Sequence, residues 1–215
     1  YNVIQWVHRS TRGWSYGSNV VDPRTGEIIK GHVSLGSLRI RQDFMIAQAL
    51  IENPFSEDNN NSSMLEMALS RIRQLSAHEV GHTLGFAHNF ASSANNRSSV
   101  MDYPHPLIEL KNNKIDLSNA YDTGIGDWDK VTVAYSYSEI AEEDEKDILN
   151  KILVDSQKKG LRFISDRDAR AQDGSHAYAH LWDNGASATV GLNEILKIRS
   201  IAISKFSENN IRDGE

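Results

Sequence analysis

From Asn2 to His8 the chain reads NVIQWVH, a β-branched and aromatic run that predicts a strand, and Trp14 to Val21 predicts a second. Asp22-Pro23-Arg24-Thr25-Gly26 has turn chemistry, so Glu27 to Leu35 should return antiparallel to the second strand. Asp43 to Ile51 then reads as a short helix, and Pro54 to Ser63, with its asparagine run, as a loop. Ser63-Met64-Leu65-Glu66 has the form of a capping box, and Leu65, Leu69, Ile72 and Leu75 recur at helical spacing behind it. One long helix is therefore expected from Met64 to Leu84. Ala91 to Pro106 is rich in Ser, Asn and Pro and reads as loop. Gly126-Asp127-Trp128-Asp129 opens a helix to about Tyr137, and Asp127 and Asp129 suit its positive end better than they suit a metal ion. The acidic run from Glu139 starts a helix to Lys159, stopped by Gly160, with Ile148, Leu149, Ile152 and Leu153 as its apolar face. Arg162 to Gly174 reads as a charged loop. Thr189 to Phe206 forms a last amphipathic helix with Leu192, Ile195, Ile198 and Ala202 inward.

The end of the long helix carries the chemistry. Residues 78 to 88 read HEVGHTLGFAH. Histidines four apart stand one turn above each other, so His78 and His82 can point at one ion. Glu79 shares that turn without being a ligand and can take a proton from metal-bound water. Gly85, lacking Cβ, can adopt the left-handed conformation that ends a helix, and the reversal brings His88 back as third ligand. Three imidazoles leave one position open for water or substrate, which is the catalytic rather than the structural pattern of zinc binding.

Thirteen residues beyond His88 lies Met101, in Ser99-Val100-Met101-Asp102-Tyr103-Pro104. The long histidine motif followed by this methionine resembles the metzincin clan of zinc peptidases. HEVGHTLGFAHNF with SVMDYP looks most like the large bacterial zinc-dependent metalloproteases whose catalytic part is the Met-zincin domain, a resemblance carried by about residues 1 to 137. It implies an α+β, zincin-like fold: a mixed sheet, an active-site helix, a Met-turn subdomain and, in this chain, a helical C-terminal extension. It also implies one catalytic Zn²⁺, Met101 as a hydrophobic floor under the site, and Tyr103 as a hydroxyl near the developing oxyanion or else an aromatic wall. An edge strand that pairs with extended substrate is implied too, and Ser15 to Val21 is the candidate. Asn89 follows the third histidine where other branches carry Asp, Glu, Ser or Pro.

The expected organisation is residues 1–89 ending in the zinc motif, 90–137 with the Met-turn, and 138–215 as an extension of unassigned role. The expected function is zinc-dependent endopeptidase activity, with a non-catalytic, zinc-stabilised binding module as the alternative. A third reading, in which a downstream glutamate such as Glu109 replaces His88 as ligand, is disfavoured by the spacing of Gly85 and His88. The 215 residues carry a net charge of −6 and no Lys/Arg-rich block, which argues against nucleic acid and for peptide or protein partners. There is no cysteine, hence no thiol catalysis, and no run of 18 apolar residues to span a membrane. A start at Tyr1, directly in an apolar run, suggests a piece of a longer precursor, and the resemblance suggests an exported one, extracellular or in the periplasm. Two minor possibilities remain to be tested against structure. Asp166-Arg167-Asp168 hints at a calcium loop, and His176 and His180, flanked by Asp173 and Asp183, repeat the spacing of a metal pair, although packing in a mixed helix is the commoner fate of such histidines.

Overall fold

A computed structural model describes residues 1–9, 13–56, 62–172, 176–212 and 214. The three predicted strands form β1 (Val3–Val7), β2 (Tyr16–Val21) and β3 (Ile28–Gly36), in the spatial order β1-β3-β2. β2 returns antiparallel to β3 through the expected turn, in which Gly26 sits at φ +79° and donates to the Asp22 carbonyl at 2.9 Å. β1 runs parallel to β3, so β3 is central and carries the buried Val33 and Leu35.

α1 (Leu38–Leu50) packs on α2 (Ser62–Thr83), which itself packs on β2 and β3. α1 starts five residues before the predicted Asp43. That aspartate is no cap: it is fully buried, ion-paired with Arg39 at 2.7 Å and hydrogen-bonded by the Tyr121 hydroxyl at 3.1 Å. α2 begins at Ser62, which puts Ser63 inside the first turn rather than at the cap, and Glu66 pairs with Arg73 instead of reaching back. The buried face of α2 is also rotated from the predicted one. Leu65 is 48% exposed, while Met64, Met67, Ala68, Arg71, Gln74, Leu75 and His78 face inward. Polar Arg71 and Gln74 hide this stripe from a hydrophobicity count, yet both are buried in hydrogen-bonding and cation–π contacts of their own.

Ala47, Met64, Met67, Leu117, Ala120 and Tyr121 form the main core. After a long loop with a 3₁₀ turn at Ser93–Asn95, a hairpin of β4 (Glu109–Lys111) and β5 (Lys114–Asp116) covers its lower edge. That hairpin went unread in the sequence. Its Asn112-Asn113 turn, both residues at positive φ, is the two-residue signal that marks it.

α3 (Asp127–Tyr137) follows as predicted, and α4 (Glu145–Lys158) starts later than Glu139, where Glu145 and Asp147 fall in the first turn and face the positive helix end. Gly160, at φ +77°, ends it as expected. The predicted charged loop contains a one-turn helix, α5 (Asp166–Ala169). α6 (Ala188–Lys205) matches its prediction in extent, but only Ile198 and Ala202 of its four expected inward residues are buried. A second apolar cluster of Phe90, Ala91, Ile164 and Ala179, with Tyr103, Ala169 and Leu181 against it, holds Ile164 and Ala179 onto the segment that follows the histidine motif. No helix of the described residues is long and apolar enough to cross a membrane.

The sheet meets α2 at one tight point. A Cβ on Gly17 of β2 would lie 1.9 Å from the Glu79 carbonyl oxygen, so no larger residue fits without moving backbone. Gly17→Ala should therefore destabilise the chain by about 1–3 kcal/mol in chemical denaturation, the usual cost of overpacking. Wild-type stability in that variant would mean that β2 is not seated on Glu79.

Candidate metal centre

α2 delivers His78 and His82 from consecutive turns and then stops where its sequence says it should. Gly85 sits at φ +87°, the Phe86 N–H donates to the Gly81 carbonyl and the Gly85 N–H to the His82 carbonyl, each at 3.1 Å, which together make a Schellman motif. The chain turns back, and His88 joins the other two. His82 Nε2 lies 3.1 Å from His78 Nε2 and 3.1 Å from His88 Nε2.

Each ring's outer nitrogen faces an acceptor. His78 Nδ1 donates to the Val100 carbonyl at 2.7 Å, His82 Nδ1 to the Phe86 carbonyl at 2.9 Å and His88 Nδ1 to the Asp166 carboxylate at 2.7 Å. Since a carbonyl or carboxylate only accepts, the protons sit on Nδ1 and three Nε2 lone pairs converge on one place. Two nitrogens bound tetrahedrally to zinc at about 2.0–2.1 Å stand about 3.3–3.4 Å apart, close to the spacing found. The residues present thus fit a zinc ion, and the triad is the one group of three or more His, Asp or Glu among the described residues that could hold a metal. Burial holds the His78 imidazole down to about 3 and lowers His82 as well, which keeps both neutral and ready to ligate.

Glu79 is buried beside the triad. Burial pushes its carboxyl up to about 7, against the opposing pull of the Gly17 N–H, so the edge strand β2 touches the acid directly. Met101 is buried under α2, where a Cβ on Gly81 would come within 2.3 Å of its sulfur. The glycine inside the motif makes room for this methionine against α2. Tyr103 packs its ring 4.5 Å from that of His88 and 5.4 Å from that of His78, and Trp182 stacks on its other side at 5.4 Å. Burial raises its hydroxyl pKa, and the charges of Asp166 and Glu79 add to the effect.

The loop that carries Met101 is pinned from α3. Asp129 accepts from the Ser99 hydroxyl at 2.6 Å, the Val100 N–H at 2.9 Å and the Gly126 N–H at 2.7 Å. It is a cap, as predicted, and also the clamp that sets the Val100 carbonyl for His78. Asp127 is exposed and pairs with Lys130. Asn89 is fully buried: its amide donates to the Arg162 carbonyl at 2.9 Å while its oxygen accepts from Ala91 and Ile164 N–H groups. An ionised carboxylate only accepts, so an acid in place of Asn89 would lose the bond to the Arg162 carbonyl.

The other sequence candidates stand apart from the site. Glu109 accepts from Asn119 at 2.8 Å and is not among the converging groups. His176 and His180 do not share a helix face, because residues 176–180 form a turn closed by a His176–Ala179 bridge; Tyr178 and Trp182 are largely exposed rather than packed among helices. Asp173 lies outside the described residues. Asp166 is engaged by His88 and Arg170, not by a calcium loop. Sequence reading missed Asp166 as a partner of His88 and Trp182 as a partner of Tyr103, since no spacing rule links residues nearly eighty positions apart.

A sequence profile of the Met-zincin family matches residues 60–215, and the chain belongs to that family. The match includes the segment beyond 137, for which the motifs gave no resemblance. No curated protein and no solved structure matches the chain.

Asp102, next to Met101, is buried and accepts from the N–H groups of Ser93 at 3.0 Å and Tyr103 at 2.7 Å. Burial first, and then the charge of Asp183, push its carboxyl up to about 7. Folding favours the neutral acid, so this contribution is complete below the ordinary value of 3.8 and disappears as pH rises through about 7. The loss between pH 6 and 8 amounts to about 1.4 kcal/mol for one such group. Denaturation at the two pH values should show Asp102→Asn losing less stability than wild type by about that much. An unchanged slope would mean that Asp102 is already ionised at pH 6.

Proposed function

We propose that this chain is a zinc-dependent endopeptidase. The observation that carries the reading is the convergence of the His78, His82 and His88 Nε2 atoms, with the buried Glu79 next to His78 on the same helix. His78, His82 and His88 would hold one zinc ion, which when bound supplies the Lewis acidity that polarises a scissile carbonyl. Glu79, with a pKa near 7, is matched to take a proton from the attacking water and to return it to the leaving amine. Tyr103 faces the same place from the Met-turn side, where its hydroxyl would donate to the oxyanion. An extended peptide would run along the outer edge of β2, whose partner β3 occupies only one side, with its backbone bonded to the strand that already touches Glu79.

Glu79→Gln is nearly isosteric and leaves all three imidazoles in place. It should retain zinc in metal analysis and lose at least about 10²-fold in cleavage of a peptide library, since general-base catalysis is worth about 10²–10⁴. Full activity in the variant would move the base elsewhere. A zinc-loaded wild type that cleaves nothing would favour the binding-module reading instead.

Tyr103→Phe keeps the packing against His88 and Trp182 and removes only the hydroxyl. We expect kcat to fall about 10- to 10²-fold with KM little changed. An unaltered kcat would reduce Tyr103 to an aromatic wall.

A further inference from the structure

The three imidazoles are not held alike. Val100 and Phe86 supply backbone carbonyls to His78 and His82, both of which also ride on α2. His88 has no helix under it. Its ring sits on the loop beyond Gly85, against the rings of Phe90 at 5.3 Å and Tyr103 at 4.5 Å, and its outer nitrogen meets the only charged acceptor of the three, Asp166 Oδ2 at 2.7 Å.

We propose that Asp166 is a positioning residue for the zinc centre, which fixes the ring of His88 and makes the segment from Arg162 to Ala169 a working part of the site. The proposal rests on the zinc reading above. Asp166 is itself held. Its second oxygen accepts from Arg170 at 3.1 Å, and it opens α5 directly after a stretch cross-bonded to the motif: Phe90 N–H to the Ile164 carbonyl at 2.8 Å, and the Asn89 amide to Arg162 and Ile164. These bonds set the depth of the carboxylate relative to His88 with no slack in the chain. A carboxylate at that place does two things that a carbonyl does less well. It fixes the tautomer with Nε2 free, and its charge makes the imidazole a stronger donor towards a cation held by three neutral rings.

The test is zinc affinity measured by chelator competition on the purified chain, together with the visible absorption spectrum of the Co²⁺-substituted protein. Asp166→Ala should weaken zinc binding about 10- to 100-fold, the usual range for such partners, and alter the cobalt spectrum. Asp166→Asn keeps an oxygen that accepts from Nδ1 and should recover part of the loss. Asp168→Ala, in the same helical turn without a contact to the triad, should bind like wild type. Wild-type affinity and spectrum in Asp166→Ala would overturn the proposal, as would an equal loss in Asp168→Ala, which would assign the effect to the folding of α5. A wild-type chain that takes up no zinc would instead overturn the zinc reading itself, so the two failures are told apart.

Discussion

Three imidazoles can serve one cation only if each ring turns a free nitrogen inward, and that orientation is decided by what the outer nitrogens meet. Here the acceptors come from three places: the helix C-terminus itself at Phe86, the Met-turn loop at Val100, and α5 at Asp166. Much of the remaining architecture serves to bring these acceptors to their places. Gly85 puts the Phe86 carbonyl under His82, Asp129 clamps Ser99 and Val100 from α3, and Asn89 stitches residues 162–164 to the motif. A hydrogen-bonded imidazole keeps its orientation without relying on the metal, so the site is largely organised before any ion arrives.

The same accounting explains which parts of the site could be read from sequence. Ligand spacing within one helix follows from its 3.6-residue turn, and the reversal at Gly85 follows from one missing Cβ, so His78, Glu79, His82 and His88 were legible from local geometry. Met101 was legible only through family resemblance, and the structure supplies a physical reason for its position in the contact with Gly81. Asp166 was not legible. Its partner is distant in sequence, and its own neighbourhood of alternating acids and arginines resembles any solvated loop. Trp182 was hidden for the same reason, and its positive φ of 62° cannot be seen in the sequence of a non-glycine residue.

The fold class was read correctly, whereas the buried face of α2 was misjudged in a related way. The stripe of α2 that faces the core includes Arg71 and Gln74, and the periodicity count set on Leu65, Leu69, Ile72 and Leu75 shares only Leu75 with it, Leu69 and Ile72 lying half-buried at its flank. Where polar side chains are buried because they bond to one another, hydrophobicity reports the wrong face. The strands and the long helices were found because their patterns are apolar and local. The Asn112-Asn113 hairpin was passed over although its turn carried a signal.

Arg71 shows what such burial is for. Its guanidinium bonds Gln74 and stacks over Tyr121 at 5.2 Å, and Gln74 in turn donates to the Val100 carbonyl at 3.2 Å, the same oxygen that holds His78. Burial pushes the guanidinium pKa down, so the charge is costly, and Tyr121 and the carboxylates of Asp43 and Glu79 offset that cost only in part. Each member of this chain is poor as a core residue taken alone. Together they tie α1, the hairpin side of the core and the Met-turn to one carbonyl. A buried network of this kind tolerates little rearrangement, because any shift leaves a polar group without a partner, and that rigidity is transmitted to the first imidazole of the triad.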